Sequence, residues 1–282
     1  MTPPRRAALA CAAALATALA ARPARADGPA ASSGRTVTLT MADGDRYGWV
    51  GDVAYTVAGG GMALVGTFAL SPPSTDLAPL DGLGHRPFDQ AADTASTVVA
   101  VTGLIVPAAI MPFVDHALGS SWRDAARVPV IFAESIAMTF GVVSMLKNAL
   151  GECRPKAWSD ATQTCVGTTP GSPVKDDRLS FPSLHTAPLA SLAGASLGLY
   201  LLPSNDHRPQ YLGLFAVTTS LAVTNFVLRP LAGAHTWVDT SAGFAIGSLV
   251  GFGTALLHTR WSAPAQVMVG TSAPQITVSG VF

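Results

Sequence analysis

The sequence predicts an all-α protein: a six-helix, membrane-embedded bundle with an N-terminal signal peptide and a short β-like C-terminal tail. Three observations carry that prediction. Charged residues make up 12% of the 282 positions and hydrophobic ones 49%, whereas ordinary soluble domains carry about 25% charged residues. Mean hydropathy is +0.39. Six apolar segments are each long enough to be considered a membrane span. Basic and acidic residues balance, so the net charge is zero. No polyanionic partner is implied, and no basic stripe for nucleic acid is present.

Taken in order, Arg5 and Arg6 precede an Ala/Leu run over 7–21, and Ala24-Arg25-Ala26 has the small-x-small form of a cleavage site. Residues 1–26 therefore read as an export signal too short to span a bilayer comfortably. Residues 27–52 are polar and turn-rich, with 36–41 alternating like a short strand. The apolar segments follow at 53–70, 94–114, 128–150, 186–202, 210–228 and 237–257, within one helical domain over 53–260. The first contains Gly59-Gly60-Gly61 and is the least regular as a helix. The third carries Glu134, an ionisable group expected to face the bundle interior or a polar cavity. The fourth and sixth are rich in small residues, which suits close helix contact in lipid.

Two connections are long, 71–93 and 151–184, and loops of that length are uncommon in a compact body unless functional or disordered. The second holds Cys153 and Cys165, the two cysteines left once the leader is removed. In an oxidising compartment such a pair closes into a disulfide. The tail, 261–282, reads as a small hairpin with strands near 265–269 and 275–278, placed to pair with 36–41.

Three polar clusters stand at the ends of apolar segments. Lys147 and Arg154 close the third, seven residues apart, so both face one way if the helix persists until Pro155 stops it. Ser180-Phe-Pro-Ser183-Leu184-His185 opens the fourth, where a helix N-terminus presents free N–H groups to an anion. Arg229-Pro-Leu-Ala-Gly-Ala-His235-Thr-Trp-Val-Asp239 leads into the sixth. His235 and Asp239 share a helix face, so the carboxylate can hold one imidazole nitrogen as N–H and leave the other free to attack.

Lys-x6-Arg-Pro, then Pro-Ser-x-His, then Arg-x5-His-x3-Asp, in this order, resembles the type 2 phosphatidic acid phosphatase superfamily. The resemblance spans residues 147–239. It implies that His235 is the nucleophile, Asp239 its orienter and His185 the general acid. It further implies that Lys147, Arg154, Arg229, Ser183 and the backbone at Leu184 bind the phosphate. Two positions depart from the family pattern: Leu184 stands where the family has Gly, and Leu228 where it has Ser.

The implied function is a metal-independent phosphatase acting on phosphate monoesters. Its substrates would be lipid phosphates such as phosphatidate or a polyprenyl (di)phosphate, and it would work through a phosphohistidine in a bacterial inner membrane with the site facing the periplasm. No cofactor is implied, because no acidic or Cys/His cluster in the sequence suggests a metal and three cations can supply the charge stabilisation. A soluble periplasmic acid phosphatase and a lipid phosphotransferase fit the same resemblance. From another class, the chain reads as a non-catalytic membrane protein binding anionic lipid headgroups.

Overall fold

The computed structural model describes residues 36–37, 48–73, 77–166, 174–201, 209–258, 266–269 and 276–279. The export signal over 1–26 lies outside the described residues. Six long helices form the body: α1 Gly48–Leu64, α2 Gln90–Ala117, α3 Arg127–Leu150, α4 Thr186–Leu201, α5 Pro209–Leu231 and α6 Trp237–Leu257. A π-turn, Val65–Ala69, continues α1, and a single turn, Trp122–Ala125, precedes α3.

Helix α4 is the axis of the bundle. Nearly all its side chains are buried, although it is uniformly apolar rather than amphipathic, which is the pattern of a helix surrounded on every side. Glycines let α6 lie directly on it. A Cβ at Gly251 would sit 1.8 Å from the Ser191 carbonyl oxygen, one at Gly247 2.0 Å from that of Ala187, and one at Gly194 2.1 Å from that of Ser248. A side chain at any of the three would push the helices apart.

The same device joins α1 to α3, where Gly59 meets the Met138 backbone and Gly141 meets the Gly59 carbonyl. The Gly59-Gly60-Gly61 run therefore does not break α1. The helix passes through it unbroken, with the close contact to α3 offsetting what glycine costs in a helix.

Outside, α2 exposes Val98, Val101, Ile105, Ile110 and Phe113, and α5 exposes Val217, Val223 and Val227. Contiguous apolar faces of this kind are rare on soluble monomers. Among the described residues, four helical stretches are long and apolar enough to cross a membrane: Gln90–Ala117, Trp122–Leu150, Pro209–Leu231 and Trp237–Leu257. Of the other two expected spans, α1 has 17 residues and α4 has 16.

The expected strands are present beyond the bundle. β4 (Gln266–Val269) and β5 (Ile276–Ser279) form an antiparallel hairpin, and β1 (Thr36–Val37) pairs antiparallel with β4. β2 (Trp158–Ser159) and β3 (Thr164–Cys165) make a second, minimal hairpin in the long loop after α3.

Candidate active site

Three chain crossings at one end of the bundle build the site. In the first, α3 stops earlier than the Lys147/Arg154 spacing suggested. Gly151 turns left-handed (φ 64°) and its N–H caps the Lys147 carbonyl. Lys147 thus projects from the last helical turn, whereas Arg154 comes from the loop. That loop is held on both sides. Cys153 N–H donates to the Leu77 carbonyl, Arg154 N–H to that of Asp177, and Ser180 N–H to that of Glu152. Cys153 and Cys165 are joined by a disulfide closing twelve positions of chain, a loop size worth about 3 kcal/mol in the chain-entropy picture. The bond is buried with Ala157 and Trp158 directly beside Arg154.

The second crossing leads through a cis Phe181–Pro182 bond into α4. Ser183 is fully buried and its N–H donates to the Asp239 carbonyl (3.0 Å). Its hydroxyl accepts from the Thr186 N–H and hydroxyl.

The third crossing joins α5 to α6 and carries His235. Gly233 has φ 67°, and a Cβ there would lie 2.5 Å from the Pro87 carbonyl, so only glycine fits the turn. Thr236 then caps α6 reciprocally: Asp239 N–H donates to the Thr236 hydroxyl (3.0 Å), and Thr236 N–H to Asp239 Oδ2 (2.8 Å).

Between the crossings lies a cavity of about 210 Å³ lined by Lys147, Arg154, Asp176, Leu179, Leu184, His185 and His235. Asp239 Oδ2 lies 3.4 Å from His235 Nδ1 and also accepts from the Ser180 hydroxyl. His235 Nε2, on the far side of the ring, has no hydrogen-bond partner among the described residues. A buried imidazole with one nitrogen held and the other free carries its lone pair on the free one.

The cations are anchored mostly by neutral groups. Lys147 Nζ donates to the Leu179 and Ser180 carbonyls. Arg154 donates to those of Asp176 and Ala234. Carbonyl anchoring fixes a cation without cancelling its charge. Arg229 is the exception, paired with Asp93 (2.6 Å) and the Ser96 hydroxyl, with its Nε free. The resulting positive field acts on both histidines. Burial first, then Arg229, Arg154 and Lys147, push His185 down to about 3. Burial first, then Lys147, Arg154 and Arg229, hold His235 well below its ordinary value, so its imidazole is neutral. This end of the bundle has the charge to receive an anion.

Residues 129–263 match the sequence profile of the PAP2 superfamily. This region is a PAP2 domain. The comparisons with curated proteins and with solved structures return no match. The PAP2 match supports a phosphatase-type activity in general.

Within the PAP2 domain, Lys147, Arg154, Leu184, His185 and His235 meet at the cavity, and Asp239 stands behind His235. Ser183 and Arg229 do not line it. The Ser183 amide is already spent on the Asp239 carbonyl, and Arg229 is turned toward Asp93.

Four contributors escaped sequence reasoning wholly or in part. Asp93 and Ser96 come from α2, outside the PAP2 domain, more than 130 positions from Arg229. Ser180 was visible as the start of a cluster, but its bond to Asp239 was not. Glu152 is fully buried, accepts from Leu80 N–H through Oε1, and faces Asp239. Its Oε2 and Asp239 Oδ1 both lack a hydrogen-bond partner among the described residues. Two acceptors that face each other need one proton between them. Burial first, then the Asp239 charge, raise Glu152 to about 9, so that proton is in place at neutral pH.

Proposed function

We propose that this chain is a phosphatase that hydrolyses phosphate monoesters, with lipid phosphates as substrates, through a phosphohistidine. The observation that carries the proposal is the unpartnered His235 Nε2 in a cavity wall shared with Lys147, Arg154 and His185. The phosphoryl oxygens sit against Lys147 and Arg154, and Arg229, paired with Asp93 and outside the cavity lining, adds its positive field. His235 Nε2 forms a bond to phosphorus in line with the breaking P–O bond, and the leaving alkoxide takes a proton from His185.

Free His185 is neutral, so the proton arrives with the monoanionic ester, whose own charge raises His185. Water then attacks phosphorus as the P–Nε2 bond breaks, its proton passes through His185 to the departing phosphate, and both histidines return to the neutral state. Asp239 holds the His235 tautomer, and protonated Glu152 holds Asp239. The donors are fixed cations, so the reaction proposed needs no metal. Apolar Leu179 and Leu184 in the cavity wall and the exposed faces of α2 and α5 support a lipid substrate.

Phosphate release by the purified protein in detergent tests this. A lipid phosphate is hydrolysed faster than a small soluble ester, EDTA has no effect, and His235→Ala abolishes release. Undiminished release by His235→Ala overturns the mechanism, and preference for the soluble ester overturns the substrate class.

The disulfide favours a site on the oxidising, periplasmic side. Asp52 in α1 lies near His258, whereas Leu77, soon after α1, meets Glu152 beside the site, so α1 runs toward the site. A spanning bundle with a periplasmic site thus begins in the cytoplasm. A leader cleaved after Ala26 fits a second reading, a periplasmic bundle of the acid-phosphatase kind that does not span. The mature N-terminal mass, together with partition between membrane and osmotic-shock fractions, separates the two.

A further inference from the structure

A second cluster of chemistry-bearing side chains stands at the opposite end of the bundle. His235 precedes α6 and His258 follows it, so 21 helical residues separate them, about 30 Å at 1.5 Å per residue. Around His258 the fold gathers Asp52 from α1 and Glu134 from α3. His258 Nε2 contacts Glu134 Oε2 and lies 4.0 Å from Asp52 Oδ1. One ligand atom from each residue falls within 4.8 Å of the other two.

Glu134 is 1% exposed, yet among the described residues its Oε1 has no hydrogen-bond partner, and neither does Asp52 Oδ1. Buried carboxylate oxygens are costly to leave unsatisfied. Two carboxylates against one imidazole leave excess negative charge whether or not the imidazole is protonated. The His258–Glu134 contact alone therefore does not complete the cluster.

We propose that Asp52, Glu134 and His258 bind a divalent transition-metal cation of the zinc type, clamping α1, α3 and α6 together. The donor set selects the class. An imidazole favours zinc over magnesium or calcium, and two carboxylates supply the balancing charge. At bond lengths near 2.0–2.2 Å, tetrahedral ligand atoms lie roughly 3.4 Å apart. The His258–Glu134 pair has to open and the His258–Asp52 pair to close slightly, which side-chain rotation provides. Water takes the fourth position. The clamp ties α1, which lies outside the PAP2 domain, to two helices within it, and it takes no part in phosphoryl transfer.

The test uses tag-free, full-length protein in detergent, stripped with EDTA, equilibrated with zinc and desalted, with metal per chain measured by mass spectrometry. One zinc per chain is expected. Glu134→Gln and His258→Gln, which keep side-chain size, each bind zinc at least about tenfold more weakly. Zinc raises the melting temperature of the wild type but not of these variants. His185→Ala/His235→Ala retains the metal, which excludes binding at the cavity. Should a variant at a buried position fail to fold, Asp52→Asn carries the comparison, since that ligand is partly exposed. A folded wild type that retains no zinc overturns the proposal, as does zinc content unchanged by all three substitutions.

Discussion

Histidines mark both ends of this bundle, and their surroundings have opposite sign. At one end His185 and His235 lie among Lys147, Arg154 and Arg229. At the other, His258 lies between Asp52 and Glu134. The difference shows how the sign of the ligand a site would take can be read from what its charged groups bond to. Lys147 and Arg154 spend their donors on main-chain carbonyls, which hold them in place and leave their charge for an anion. Asp52 and Glu134 leave oxygens unspent, which is the converse condition and fits a cation.

The most damaging change at the cationic end is Asp239→Asn, which preserves shape but removes the carboxylate charge beside His235, on the oxygen that also caps α6. We expect a loss of about 10⁴ in kcat, read as phosphate release from a protein with unchanged helicity. Normal turnover would break the assignment of His235 as a tautomer-controlled nucleophile. Arg154→Met follows, with a loss of about 10²–10³ in kcat. It sharpens the comparison, because His185 and His235 titrate upward toward ordinary histidine values once that cation is gone. NMR of the ring nitrogens measures this, and histidines that stay put would mean that Arg154 has no share in holding them down.

The smallest effect is that of Glu152→Gln. Folded Glu152 keeps its proton to about pH 9, whereas an unfolded glutamate loses it near 4.5. The folded state therefore holds the extra proton between those values, and stability falls as pH rises through that window. Glutamine is neutral throughout, so the variant loses this slope in denaturant titrations from pH 5 to 9 while retaining activity at pH 6. A slope equal to that of the wild type would show that the carboxyl pair does not share a proton.

Six residues that carry the proposed chemistry were legible because each stands in a short polar interruption of an apolar chain: Lys147, Arg154, His185, Arg229, His235 and Asp239. What remained hidden was hidden for physical reasons. Glu152 has the wrong sign for a phosphate site, and its role depends on a proton that sequence does not show. Asp93 reaches Arg229 across 136 positions, and His258 reaches Glu134 across 124. No spacing rule spans such intervals.

The six-helix architecture was plain from hydropathy, but details of individual helices were not. A seven-residue spacing suits a continuous helix, yet the left-handed Gly151 ends α3 between the two cations. Three successive glycines suggest a break, but whether they break or seat a helix depends on the neighbour, here Met138. Ser183 was legible as a helix-start residue, but not that its amide would be claimed by Asp239.

Asp239 Oδ2 takes the Ser180 hydroxyl and the Thr236 N–H while lying beside the His235 ring. One oxygen thus closes the first turn of α6 and aligns the nucleophile. Fraying of that turn and misalignment of the histidine become one event, so amide exchange at the start of α6 should report the fraction of molecules competent to react. Substitutions that loosen this turn will not separate endurance from turnover, and selection for either acts on both.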